Sequence, residues 1–525
     1  MTENNTFLGR TLQVVDDFSV DEQLYLYEQT RRLKQALLSG DAETRDTFAA
    51  IQPDTGCYLF FMEDSTRTKE SFRNAAQFHG FRLNDFSSSG SSFNKKESIT
   101  DTFQMLVGYS RQSIFIVRTK LEGTCRWLEE ALGHYSKKVG IPPAVLINAG
   151  DGRHEHPTQE LLDEFTFLEH NRFDRSHIHL ALVGDLYHGR TVHSKADGLG
   201  VFSSVRVDLI APPELEMPES YVTRMNAKGY EVRLFPTIDA YLANGDTATI
   251  WYFTRLQLER MGEKLLDRAT ELREAVTFRR EQLARLKTGT KFFHPLPRHQ
   301  VTPVIPTFLD DLPVNGWGEQ SMNGYYTRIV ELALLSGHIG SDFAGQPRVK
   351  QTFDDDFVRR VQPGPATRKP DHKIGIKPVQ DGIVIDHIGR GRTPSEIWSQ
   401  IDKIRRILDL NVTGSHGVFT GAEGDYKGLI SLPGRLEIDE AHMKMLGASA
   451  PGCTLNHVRG ATVVEKFRME MPPRVYNLPG ISCKNGDCIS HPAHHEPVEP
   501  EFLRASATVY RCKYCDHLHE FNELW

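Results

Sequence analysis

The sequence predicts two consecutive α/β domains, each a doubly wound parallel sheet, followed by an α+β domain and a small β-rich domain. Three observations predict it. From residue 16 to 335, short apolar runs alternate with amphipathic helical stretches, the pattern of parallel strands covered by helices. Between Gly340 and Lys373 that alternation breaks into GSDFAGQP, an acidic DDD and PGPATRKPDHK, where Pro, Gly and charge replace periodic apolar residues. Four of the seven cysteines then fall close together, between Cys483 and Cys515.

Taken in order, the apolar runs 56–61, 113–117, 144–148, 178–183, 206–210, 249–252 and 291–294 read as strands. They form one block before and one after about Asn148, each of ordinary α/β domain size. A long helix over 158–170 is expected to link the blocks. Beyond the linker, 382–388 and 428–432 read as strands around a helix at 395–408. The expected divisions are 1–155, 156–339, a linker at 340–372, then 373–472 and 473–525.

Composition excludes several classes. The N-terminus, MTENNTFLGRTLQVVDDF, lacks both a basic start before an apolar core and an Arg-rich amphipathic pattern, and the chain contains no run of about 18 apolar residues. The chain therefore reads as a cytoplasmic protein with no membrane partner. A net charge of -7 opposes broad binding to nucleic acid, so any anionic ligand must be held by local basic residues. Cys57, Cys125 and Cys453 stand singly and read as structural thiols.

The segment FFMEDSTRTKESFRNAAQFHG begins as a strand, turns at Asp64 and Ser65, and continues as a helix that Gly80 would cap. Ser65, Thr66, Arg67 and Thr68 open that helix. Its free N–H groups, hydroxyl donors and a guanidinium suit a phosphate. Equally, Ser65 could be only an N-cap, with Arg67 solvated. Further along come a Gly/Ser-rich loop ending in KK, then HPTQ, VGDL with GRT, TR with Q, and HPLP. In that order these motifs resemble the aspartate and ornithine carbamoyltransferase family across residues 7–340.

The resemblance implies an α/β transferase that joins carbamoyl phosphate to an amine and releases phosphate, an early step of pyrimidine synthesis when the amine is aspartate. It places phosphate on Ser65, Thr66, Arg67 and Thr68, with Arg118 touching both phosphate and the carbamoyl carbonyl. His156 bonds that carbonyl oxygen, so Thr68, Arg118 and His156 form the oxyanion-stabilising set. Gln159 and the backbone carbonyls of Pro295 and Leu296 hold the carbamoyl amide. Arg190, Arg255 and Gln257 grip the two aspartate carboxylates, and no organic cofactor is needed. In the family, Ser92 and Lys96 of the loop SSSGSSFNKKE enter a neighbouring subunit's site, which implies a homotrimer or larger assembly. A residue usual between KK and the next Glu is missing there. Ornithine enzymes carry HCLP, whereas this chain has His294-Pro295-Leu296-Pro297, so aspartate is the expected acceptor.

Cys483-x4-Cys488 and Cys512-x2-Cys515 supply two thiol pairs suited to one structural Zn2+, whereas a disulfide reading is disfavoured in a reducing compartment. Residues from about 373 to 524 resemble the regulatory chain of bacterial aspartate carbamoyltransferases through VIDHI, TLNHV, VVEK and CKYC. That resemblance implies an allosteric site for ATP- or CTP-type nucleotides at Asp386, His387, Asn456 and Lys466. Ser431 stands where such chains usually carry a lysine, so a weakened or altered nucleotide response is expected. A purely structural fused domain is the competing reading.

Overall fold

The computed structural model describes residues 5–87, 97–257, 268–349, 352–353, 356–364, 379–410, 414–420, 424–435 and 437–525. The chain divides into two compact units, the first built on residues up to 349 and the second on most of the remaining residues.

The first unit holds two parallel sheets. Strands β1 (Thr55–Phe61), β2 (Arg82–Ser87), β3 (Gln112–Thr119) and β4 (Val145–Asp151) lie in the order β2-β1-β3-β4. Strands β5 (Ile178–Gly184), β6 (Val205–Ile210), β7 (Glu231–Phe235), β8 (Ile250–Thr254) and β9 (Lys291–Phe293) lie in the order β7-β6-β5-β8-β9. Every pairing in both sheets is parallel. Strand β1, inside its sheet, is buried along its whole length and reads as the largely apolar run TGCYLFF, whereas β4, equally buried at the sheet edge, starts apolar and ends in Asn148 to Asp151. The seven expected strands are all present. Two more, β2 and β7, lie on sheet edges and carry the mixed sequences RLNDFS and EVRLF, which conceal them from a search for apolar runs.

In each sheet the order reverses once, between β1 and β3 and between β5 and β8. At such a reversal, the loops leaving the strand ends diverge and open a crevice. The helix Pro157–His170 comes after β4, opens with Pro at its first position, and is buried for twelve of its fourteen residues. A second long helix, Trp317–Leu335, packs against Pro157–His170, Thr66–Phe78 and Val20–Ser39, so late residues of the first unit return to its early ones. The helix Val20–Ser39 is bounded by a capping box from Ser19 to Glu22 and by Gly40 at φ +75°.

The second unit contains a six-stranded antiparallel sheet. Its strands β10 (Val358–Val361), β11 (Gly382–Ile388), β12 (Ser415–Thr420), β13 (Tyr426–Pro433), β14 (Thr454–Arg459) and β15 (Thr462–Met469) lie in the order β10-β15-β14-β11-β13-β12. The helix Pro394–Ile407 buries Ile397, Ile401 and Ile404 and passes so near β13 that a methyl group at Gly428 would stand 2.7 Å from Ile397. Strand β10 arises inside the stretch expected to be linker. It pairs with β15 at the sheet edge, where Arg359 meets Glu470 and Arg360 meets Glu465. A second sheet, β16 (Arg474–Tyr476), β17 (Glu501–Arg504), β18 (Val509–Cys512) and β19 (Leu518–Glu520), is also antiparallel. Among the described residues, no helix is long and apolar enough to cross a membrane.

Candidate active site

The reversal between β1 and β3 builds one wall of a cleft. Ser65 occupies the N-cap of the helix Thr66–Phe78 with extended backbone, yet its hydroxyl makes no capping bond. The first-turn N–H groups thus keep their donor capacity, against the reading of Ser65 as a simple cap. Thr68 is buried and Arg67 exposed. Arg118 stands beside Phe61 near the end of β3 and donates from Nη1 to the Ala149 carbonyl at 2.9 Å.

The opposite wall comes from the second sheet. Asp185, just past β5, accepts from the His188 backbone N–H at 3.0 Å and the Gln257 N–H at 3.1 Å. Gln257 Nε2 in turn donates to the His188 carbonyl at 2.9 Å, so the loops carrying Arg190 and Arg255 are fixed to one carboxylate. Arg190 donates to Glu63 at 3.1 Å and to the Gly152 carbonyl at 2.9 Å. Gly150 lies beneath both Arg118 and Arg190, because an added methyl would stand 2.9 Å from the first and 3.1 Å from the second. Its φ of +112° also favours glycine.

His156 immediately precedes the helix Pro157–His170 and is buried. Burial, with Arg118, Arg190 and Arg328 nearby, holds its pKa well below the usual imidazole value, so the ring is neutral near pH 7. His294 is pushed down to about 3 by burial and by Arg298, Arg67 and Arg255. Its Nδ1 accepts the Leu296 N–H at 2.7 Å, while its backbone N–H donates to Gln320 Oε1 at 2.8 Å. These bonds shape the turn Pro295–Pro297, in which Leu296 has φ +53° and precedes a cis proline.

The resulting cleft has a volume of about 760 Å³ and brings Ser65, Thr66, Arg67, Thr68, Arg118, His156, Gln159, Arg190, Arg255, Gln257, Pro295 and Leu296 together. Its described lining carries the guanidinium groups of Arg67, Arg118, Arg190, Arg255 and Arg328 against the carboxylates of Asp64 and Glu70. Such a surface binds small polyanions. Ser92 and Lys96 lie outside the described residues. Sequence reasoning passed over Arg328, which lines the cleft, bonds Ser71 and is lowered to about 10 by burial. A lone arginine within the apolar run YYTRIVELALL was the available signal.

Toward the end of the chain Cys483, Cys488, Cys512 and Cys515 are buried, with their Sγ atoms all within 4.8 Å of one another. The Sγ atoms of Cys483 and Cys515 are 3.7 Å apart, far beyond a disulfide bond, and the four-thiol set fits one tetrahedral metal ion. On the larger sheet, Asn456 stands directly opposite Lys466, and Val384 lies between Asn456 and Ser431. Asp386 and His387 occupy the same strand as Val384. Lys427 bonds Asp386 at 3.0 Å, whereas the Ser431 hydroxyl is buried without a partner.

Comparison with known proteins agrees with this architecture. Residues 10–169 match the carbamoyl-P binding domain of aspartate/ornithine carbamoyltransferase. Residues 374–470 match the allosteric domain, and 473–525 the metal binding domain, of the aspartate carbamoyltransferase regulatory chain. Protein PyrBI of Thermotoga maritima is 52% identical over 99% of both chains, and Protein PyrBI of Treponema denticola 50% identical over 99% of both. The aspartate carbamoyltransferase catalytic subunit of Aliivibrio fischeri is 34% identical across 52% of this chain and 83% of its own. Among solved structures, Trypanosoma cruzi aspartate transcarbamoylase bound to carbamoyl phosphate and aspartate is 26% identical. It covers 63% of this chain and 98% of its own with a TM-score of 0.53. The chain therefore belongs to the PyrBI family, an aspartate carbamoyltransferase joined in one polypeptide to regulatory allosteric and metal-binding domains.

Proposed function

We propose that the cleft transfers the carbamoyl group of carbamoyl phosphate to the amine of L-aspartate, giving N-carbamoyl-L-aspartate and phosphate. The observation that carries this reading is the meeting of five guanidinium groups and an open helix N-terminus where the two strand-order reversals face one pocket. Carbamoyl phosphate sits with its phosphate on Ser65, Thr66, Arg67 and Thr68. Thr68, Arg118 and the neutral His156 donate to the carbonyl oxygen. Gln159 and the carbonyls of Pro295 and Leu296 accept from the carbamoyl amide. Arg190, Arg255 and Gln257 clamp the aspartate carboxylates and hold the amine against the carbonyl carbon. The amine nitrogen forms the new C–N bond, the C–O bond to phosphate breaks, and the departing phosphate takes the amine proton. Pro295 occupies the place of the cysteine in ornithine enzymes.

Among the described residues, the cleft lining has no lysine. A neighbouring copy supplying Ser92 and Lys96 completes the site, so a trimer is the smallest active form. The four clustered, buried thiols hold zinc, as suits a reducing cytoplasm where thiol ligation is favoured over disulfides. The antiparallel sheet binds an effector, with Asp386, His387, Asn456 and Lys466 reading an ATP- or CTP-type nucleotide. Its response is weakened because Ser431 brings no charge and Lys427 is already paired with Asp386.

Phosphate release should require carbamoyl phosphate and aspartate together, and Arg67→Ala should lower kcat by about 10²- to 10³-fold, the cost of losing one oxyanion-type donor. Release at the parent rate from Arg67→Ala contradicts the phosphate assignment. Because His156 and His294 are buried with depressed pKa values, their imidazole 15N shifts should stay constant from about pH 8 down to about pH 5. A titration near the ordinary imidazole value shows the rings to be solvated. Elemental analysis of the full chain should find one zinc per polypeptide and its loss in Cys512→Ser, whereas metal retained at parent stoichiometry places the ion elsewhere.

A further inference from the structure

Beneath the carbamoyl end of the cleft lies a fully buried charged cluster. Lys195 Nζ donates to Glu160 at 2.7 Å and to Asp163 Oδ2 at 2.9 Å, with all three side chains inaccessible to solvent. The Tyr252 ring lies 4.2 Å beneath the ammonium. A methyl group at Gly198 would stand 2.3 Å from Glu160, so the cluster is tightly enclosed. Burial pulls the Lys195 pKa down, but Asp163 and Glu160 outweigh it and hold the group above its ordinary value, so the lysine stays charged.

The second oxygen of Asp163 faces the site. Its Oδ1 accepts from Gln159 Nε2 at 2.9 Å and from Gln320 Nε2 at 2.6 Å. Each amide therefore has its nitrogen turned to the carboxylate and its oxygen left for another donor. Gln320 spends that oxygen on the His294 backbone N–H, which leads to the turn carrying Pro295 and Leu296. Gln159 keeps its oxygen for the cleft it lines.

We propose that Lys195, acting through Asp163, is a positioning residue that fixes the amide polarity of Gln159 and so selects an acyl phosphate bearing an NH2 group. This rests on the carbamoyl-transfer reading above and names what enforces its acyl specificity. A carbamoyl group offers two N–H donors. The Gln159 oxygen and the carbonyls of Pro295 and Leu296 form an all-acceptor surface for them. Acetyl phosphate, which has a methyl group in that place, leaves those acceptors unpaired and is rejected. Without the lysine, Asp163 Oδ2 loses its ammonium partner and the carboxylate is no longer fixed with Oδ1 toward the two amides. The Gln159 amide is then free to turn its nitrogen toward the cleft.

The test compares wild-type, Lys195→Met and Asp163→Asn full-length enzymes by three constants: the KM for carbamoyl phosphate, the Ki of acetyl phosphate and the Ki of inorganic phosphate. The ratio of acetyl phosphate Ki to carbamoyl phosphate KM is independent of the amount of folded enzyme. It should fall by about tenfold in Lys195→Met, the discrimination of one lost hydrogen-bonded contact, while the inorganic phosphate Ki stays within about twofold. Asp163→Asn preserves side-chain volume and should lower the same ratio, so the inference remains testable if Lys195→Met does not fold. An unchanged ratio in a folded variant, or a phosphate Ki that moves as far as the ratio, overturns it. Absence of wild-type turnover overturns the carbamoyl-transfer reading and this inference with it, whereas active enzyme with unchanged ratios overturns this inference alone.

Discussion

Five guanidinium groups share one cleft only at an electrostatic cost, and the catalytic unit is arranged around meeting it. Arg118 and Arg190 both approach the position above Gly150, so their charged ends are no more than about 6 Å apart. At an effective dielectric near 20, two such charges repel by about 3 kcal/mol. The protein relieves part of this with Glu63 against Arg190 and the Ala149 carbonyl against Arg118. It leaves the helix start at Ser65 without a side-chain cap, which adds further positive potential. Bound anions supply the remaining negative charge, so an empty cleft stores repulsion that phosphate and a dicarboxylate relieve.

Holding like charges together requires a scaffold that does not yield. The helices Pro157–His170 and Trp317–Leu335 provide it, each buried along most of its length. Between them, Asp163 ties Gln159 and Gln320 to one carboxylate, and Gln320 carries the constraint to His294 and its turn. Buried ion pairs contribute little net stability when both partners are desolvated, so the Lys195 cluster is better understood through the orientation it enforces than through folding energy.

Much of the fold was legible because parallel strands covered on both sides must be largely apolar, as TGCYLFF and IHLALVG are. The edge strands β2 and β7 escaped because RLNDFS and EVRLF mix charged and apolar residues, whereas β4 and β9, also at sheet edges, carry the apolar runs VLI and FF; β10 escaped because its two arginines pair with glutamates across a solvent-facing edge. The residues that line the cleft were legible through the order of their motifs, since Arg67 by itself reads equally as a solvated side chain, whereas Ser92 and Lys96 lie outside the described residues. Lys195 was not legible, and Arg328 was marked only by its place as a lone arginine in an apolar run. Their roles arise from what folds over them, and neither stands in a motif. The cysteines were legible because thiol ligation depends on short local spacings, and the structure gathers all four.

The most direct test of the central claim, that this cleft binds a dicarboxylate beside an acyl phosphate, is a product analysis with carbamoyl phosphate supplied together with equal aspartate and ornithine. The arginine clamp and the proline at position 295 predict N-carbamoyl-L-aspartate as the dominant product, with citrulline at background. Citrulline as the main product would contradict the account, because the second substrate would then be a cation entering a surface lined by guanidinium groups.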